Sequence, residues 1–138
     1  GNSLTFNMLN GLCQNLTSLD SNKQVKVILL KSAGLKAFSG GASFTELKTL
    51  KSFNEARGFF MGFANLINVI RILKKFVIIQ IQGKVVGGGI GIIAACDYTI
   101  AHEKAEIKLS ELSIGLGPFV IEPAITRKLA RLLLLNFL

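Results

Sequence analysis

A chain of 138 residues, half of them apolar and with a mean hydropathy of +0.51, has ample material for one packed core, which excludes disorder. Its 16 Lys and Arg against 8 Asp and Glu give a formal charge of +8, but the lysines are scattered and lack interleaved aromatics, so a solvated basic surface outweighs a nucleic-acid partner. No apolar run is long enough to span a bilayer, no secretory signal opens the chain, and the two distant thiols, Cys13 and Cys96, fit a reducing, cytoplasmic compartment.

Leu4, Met8, Leu12, Leu16 and Leu19 recur at helical spacing, with Asn2 or Ser3 as cap, and predict an amphipathic helix running to about Asp20. VKVILLK, Val25 to Lys31, predicts a buried strand, and SAGLKAFSGGA after it a glycine-rich loop. Ser43 and Glu46 fit the S-x-x-E capping box, which opens a helix near Phe44. From about Asn54 to Lys75 a longer helical pattern carries more apolar residues than one stripe needs, so it is expected to be covered on two sides. FVIIQIQ, Phe76 to Gln82, is β-branched and uninterrupted, as in a parallel sheet covered on both faces. GKVVGGG then leads to a short helix IGIIAACD, strands near Tyr98 to Ala101 and Ile107 to Leu109, and a helical stretch after Pro123. Strands alternating with helices predict an α/β architecture with right-handed crossovers; no internal repeat is visible.

Two glycine-rich loops stand between a strand and a helix: SGGAS at 39–43 and GGGIG at 87–91. Loops at the carboxyl ends of neighbouring parallel strands face one crevice, and a helix N-terminus offers unpaired N–H groups and a positive dipole end. Such a pair of donors can form an oxyanion hole for charge developing on a carbonyl oxygen. A phosphate cradle fits less well, because neither loop reads G-x-G-x-x-G with its acidic partner or ends in G-K-[ST]. Tight turns and close helix packing are the structural alternative for either loop alone.

KAFSGGASFTEL (36–47), IQGKVVGGGIGIIAACDYTIA (81–101) and AEIKLSELSIGLGP (105–118), in that order, resemble the crotonase superfamily of enoyl-CoA hydratases and isomerases. The resemblance implies a crotonase-like core of ββα repeats over 1–138, with part of the N-terminal strand region and the C-terminal helical trimerisation region not evident. It implies an acyl-CoA thioester substrate, no cofactor beyond the coenzyme A carried by that substrate, no metal, and a homotrimer or dimer of trimers. Residue by residue it makes Ala42 and Gly88 the oxyanion donors and Glu111 the catalytic carboxylate. Gly41 and Gly87 become substrate-binding candidates beside them. From its place just before the first loop, Lys36 is a candidate for CoA phosphate or a solvated lysine, and Phe38 and Phe44, which flank that loop, are core residues first and acyl-pocket lining second. Gly88→Val is then expected to abolish turnover while the fold persists.

The departures bear on the reaction. Ser43 stands where many such proteins carry Asp, and it keeps the capping role. Gly91 stands where two-carboxylate hydratases place their first Glu, and PFVIEP (118–123) replaces a glycine-rich stretch and brings in Glu122, either a helix-start residue or a substitute second carboxylate. The leading expectation is an enoyl-CoA hydratase, a lyase. Isomerisation or another one-Glu reaction, and a non-catalytic acyl-CoA-binding protein, are the alternatives. His102 reads as a solitary surface histidine and Asp97 as an anchor for the strand after the short helix.

Overall fold

The computed structural model describes the backbone of residues 2–135 and the side chains of residues 2–130. Among the described residues, six strands divide between two parallel sheets. β1 (Val27–Leu30), β3 (Phe76–Ile81) and β5 (Tyr98–Ala101) lie in the order β1-β3-β5, and β2 (Ala37–Ser39), β4 (Lys84–Val86) and β6 (Ile107–Lys108) in the order β2-β4-β6. After α1 (Phe6–Ser21), each pair of strands gives one strand to each sheet and is followed by helix: α2 (Phe44–Leu47) and α3 (Phe53–Ile72), then α4 (Gly88–Ala95), then a 3-10 turn (Glu111–Ile114) and α5 (Glu122–Leu135).

The chain is therefore built from three ββα units, although no sequence repeat shows it. The second strand of each unit spans only two or three residues, too short for an alternating pattern to register. Two of these strands lie where no strand was expected: β2 inside the loop expected over 32–42, and β4 in GKVVGGG, to which no element was assigned.

Local hydrogen bonds fix the start of the chain against the first unit. Thr5, rather than Asn2 or Ser3, caps α1 by accepting the Met8 N–H. Asn2 instead takes φ +56 and donates its side-chain amide to Ser32 Oγ and to the carbonyls of Ala33 and Ala37. Ser43 accepts the Glu46 N–H to start α2, but the Glu46 carboxylate accepts from Phe6 N–H at 2.9 Å rather than from Ser43. The capping box is thus shared between two helices.

α3 packs against α1 on one side and α4 on the other, as its apolar surplus requires. It ends at Ile72, short of Lys75, where Asp20 Oδ1 accepts the N–H groups of Lys74 and Lys75 and the chain turns into β3. On β3 the burial alternates: Val77, Ile79 and Ile81 are fully buried, whereas Phe76 is half exposed. Among the described residues this sheet is covered on one face only. Val27, Leu29, Tyr98 and Ile100 share its half-exposed apolar outer face with Phe76, contrary to the expected two-sided cover. No helix among the described residues is long and apolar enough to cross a membrane.

Cys96 closes α4, buried, with Sγ donating to the Ile92 carbonyl. The ammonium of Lys128 on α5 donates to the Cys96 carbonyl at 2.7 Å and ties the two helices together. Burial pushes the Cys96 thiol from 9.0 up to about 12, Lys128 opposing and Asp97 assisting. A raised thiol pKa means that folding favours the neutral form, so its contribution is complete below about pH 9 and is lost between 9 and 12. The expected loss is about 1.4 kcal/mol per pH unit within that window. Urea midpoints at about pH 8 and about pH 10 should therefore fall further for the wild type than for Cys96→Ala. Equal falls would remove Cys96 from the alkaline limb.

Candidate active site

The strands of the second sheet run parallel with their carboxyl ends side by side, and the chain leaves each end through a short loop. Ala42 lies three residues beyond β2, Gly88 two beyond β4 and Glu111 three beyond β6. All three line one cavity of about 60 Å³, walled by Phe60 and Phe63 from α3 and by Pro118, Val120 and Ile121 from the turn into α5.

Two glycines with positive φ bend these loops together. Gly41, at φ +81, sits where an added Cβ would come within 3.0 Å of the Val86 carbonyl, so the first loop is pressed against the end of β4. Gly87, at φ +55, donates its N–H to the Lys108 carbonyl, and a Cβ there would lie 2.5 Å from Glu111 Oε1. The Glu111 carboxylate thus lies directly against the backbone of the second loop. Only glycine adopts these conformations without strain and leaves that space open.

The next glycines answer to packing. A Cβ on Gly88 would overlap the Phe63 ring, and one on Gly89 would approach Ser39 Cβ to 2.8 Å and Val85 Cγ1 to 3.0 Å. At Gly91 it would meet Ile121 Cγ2 at 2.6 Å and Ile67 Cδ1 at 2.9 Å. The position that the resemblance assigns to a first carboxylate is therefore filled from outside by α3 and by the residue preceding α5.

The polar groups on the cavity are few. Leu4 N–H donates to Gly41 O and Ser43 N–H to Leu4 O, which leaves the Ala42 N–H outside that ladder. Gly88 is the first residue of α4, at the positive end of its dipole. Among the described residues, neither the Ala42 nor the Gly88 N–H has an acceptor. Glu111 Oε2 is buried and also lacks a hydrogen-bond partner among the described residues. A desolvated carboxylate oxygen without a partner costs stability, so its position calls for a use.

The other candidates lie elsewhere. Lys36 is exposed at the start of β2. Phe38 is buried and faces a different cavity, of about 450 Å³, between α1, β1 and α3. Phe44 is more than half exposed, with the Lys48 ammonium 5.6 Å from its ring centre. Glu122 is exposed on the first turn of α5, where it accepts from the Thr126 hydroxyl, and it does not line the cavity. Asp97 anchors β3 by accepting the Val77 N–H at 2.8 Å, and His102 is exposed. No group of three or more His, Cys, Asp or Glu among the described residues could hold a metal ion. Phe60 and Val120 were not singled out from the sequence as cavity walls; the surplus of apolar residues on α3 was the available signal for Phe60.

A family model described as enoyl-CoA hydratase/isomerase matches residues 1–134. The chain belongs to this family, the crotonases. It is 28% identical over 117 residues to the short-chain-enoyl-CoA hydratase of Clostridium acetobutylicum, covering 85% of this chain and 44% of that protein. It is 30% identical over 121 residues to the mitochondrial 3-hydroxyisobutyryl-CoA hydrolase of Bos taurus, covering 86% of this chain and 31% of that protein. Among solved structures, a putative enoyl-CoA hydratase/isomerase (crotonase) from Legionella pneumophila superposes with a TM-score of 0.86 at 34% identity, over 91% of this chain and 49% of that one. This crotonase chain spans less than half the length of these relatives. Their names cover both a hydratase and a hydrolase, so membership fixes the fold but not the reaction.

The contact with Phe63 corrects the expectation that Gly88→Val would spare the fold, because even the smallest side chain displaces a buried ring. Gly88→Ala should lower unfolding stability by about 1–3 kcal/mol. In a double-mutant cycle, Phe63→Leu should recover about 1 kcal/mol of the Gly88→Ala loss. Additive losses in urea denaturation would show that Phe63 does not set the requirement for glycine.

Proposed function

We propose that the full-length protein acts on acyl-CoA thioesters, with the thioester oxygen held by the N–H groups of Ala42 and Gly88 and a proton moved at the acyl α-carbon by Glu111. The observation that carries this reading is the buried Oε2 of Glu111, which among the described residues has no partner, on the same small cavity as two backbone N–H groups that have no acceptor among them. Removing a proton next to a thioester carbonyl places charge on the carbonyl oxygen. One fixed donor aimed at that oxygen is worth about 3 kcal/mol in the transition state.

One carboxylate suffices for a double-bond shift. Glu111 takes the α-proton of a 3-enoyl thioester, and the electron pair spreads onto the thioester oxygen as a dienolate held by the two N–H groups. The same carboxyl then returns the proton to the γ-carbon, leaving the 2-enoyl thioester. Hydration is the second reading, favoured by relatives named as hydratases. It needs a base for the water as well as a proton for the α-carbon, and this chain offers packed Ile121 and Ile67 side chains at Gly91 and an outward-facing Glu122. A purely binding role leaves the burial of Glu111 Oε2 without a use.

Glu111→Gln keeps the shape of the side chain and removes its proton chemistry. In the full-length protein it should lower kcat by about two to four orders of magnitude, with acyl-CoA affinity nearly unchanged. Following a panel of 2-enoyl and 3-enoyl thioesters by absorbance checks this and separates isomerisation from hydration. Turnover equal to wild type in Glu111→Gln removes Glu111 from the mechanism.

A further inference from the structure

The direction of the Ala42 N–H is set from outside the cavity, by the segment that leads into α1. Leu4 and Ala42 form an isolated parallel bridge in which Leu4 makes both bonds: its N–H donates to Gly41 O at 2.7 Å, and its carbonyl accepts the Ser43 N–H at 2.9 Å. A trans peptide is planar, so its C=O and the N–H that follows point in opposite directions. With the Gly41 carbonyl drawn to Leu4, the Ala42 N–H points away from Leu4. The Gly88 N–H is oriented differently, by its own helix, since Gly87 O accepts the Ile90 N–H at 2.8 Å in the first turn of α4.

A single bridge holds only as well as its flanks, and both flanks of Leu4 are tied by side chains. Two residues before it, the Asn2 amide donates to Ser32 Oγ, Ala33 O and Ala37 O, and the Asn2 carbonyl accepts the Gly40 N–H at 3.1 Å. Two residues after it, Phe6, the first residue of α1, donates its N–H to the Glu46 carboxylate at 2.9 Å. The usual partner of a carboxylate at this place in a capping box is the N–H of the capping residue, and here the Ser43 N–H is already given to Leu4. Ser43 Oγ in turn accepts the Glu46 N–H, so Leu4, Phe6, Glu46 and Ser43 close a ring of bonds around the Gly41–Ala42 peptide. Glu46 itself does not line the cavity.

We propose that Glu46 is a positioning residue: by holding the Phe6 N–H it keeps Leu4 on the Gly41 carbonyl and so aims the Ala42 N–H at the thioester oxygen. This rests on the function proposed above and adds to it a residue that never touches substrate.

The test uses the full-length protein with Glu46→Ala, which removes the acceptor, and Glu46→Gln, whose side-chain carbonyl still accepts from Phe6 N–H. Losing an oxyanion donor outright costs about 10²–10³ in kcat, and a donor that is loosened but still present costs less. In Glu46→Ala kcat should fall about tenfold with KM nearly unchanged, the pattern of an interaction made in the transition state. Glu46→Gln should stay within about threefold of wild type. The readout that a merely structural role would not move is the thioester carbonyl stretch of bound butyryl-CoA in difference infrared spectra. Wild type and Glu46→Gln should lower it from its free value by similar amounts, and Glu46→Ala by less. Asn2→Ala, which frees the other flank of Leu4, should weaken the shift in the same way and takes the place of Glu46→Ala if that variant does not fold. An undiminished shift in the acceptor-less variant, or equal losses in Glu46→Gln and Glu46→Ala, overturns the positioning role while leaving the acyl-CoA reading intact. A wild type that neither binds nor turns over any acyl-CoA overturns that reading and this inference with it.

Discussion

Between Val86 and Ile90 the backbone is hemmed in on three sides, and the rest of the site follows from that crowding. The Glu111 carboxylate lies against Gly87, the Phe63 ring against Gly88, and Ser39 with Val85 against Gly89. Because no Cβ intervenes, the end of β4, the start of α4, the loop after β2 and the chain after β6 all meet within a few ångströms. A side chain at any of the three positions would separate elements whose contact creates the cavity. Close packing of this kind tolerates little change in volume, which makes the triplet a structural requirement before it is a chemical one.

The same crowding limits the chemistry. α4 is buried along most of its length, and its fourth residue, Gly91, is covered by Ile67 and Ile121. A charged side chain at that place would have to displace two aliphatic groups and lose its hydration, at a cost far above that of an ordinary surface substitution. Among the described residues, the cavity is lined by one carboxylate, that of Glu111, and by two loops whose N–H groups at Ala42 and Gly88 have no acceptor. Proton transfer at one carbon with charge held on a neighbouring oxygen needs that set and no more. The turn into α5 that fills this position also supplies Val120 and Ile121 to the cavity wall.

Much of this was legible in the residues, and the failures have physical causes. The strands of the first sheet announce themselves through VKVILLK and FVIIQIQ, because they are long enough and sufficiently β-branched. β2 and β4 stay hidden because they are short and flanked by glycine, whose composition reads as loop. Two-sided burial of β3 was inferred from an unbroken apolar run, yet such a run also occurs where half-exposed residues form an apolar outer face, as Phe76 does here. The glycine triplet was marked as a place of close approach, for a substrate oxygen or for close helix packing, and the structure sets Glu111, Phe63, Ser39 and Val85 against it. Ala42, Gly88 and Glu111 were placed by motif resemblance. Their joint position on one cavity follows from parallel strands ending side by side, which single-sequence patterns do not encode. Lys36, Phe38 and Phe44 were chosen because they adjoin the first loop, and Glu122 because a second carboxylate was missing; none of the four lines the cavity.

The proposed function requires one thioester oxygen to be shared by the N–H groups of Ala42 and Gly88, with the acyl α-carbon facing Glu111. A crystal structure of the full-length protein with a bound, unreactive short acyl-CoA tests it most directly. The account predicts the carbonyl oxygen at about 2.7–3.2 Å from both backbone nitrogens, with Glu111 against the α-carbon. An acyl group seated in the larger cavity between α1 and β1, or a carbonyl oxygen touching neither nitrogen, would contradict it.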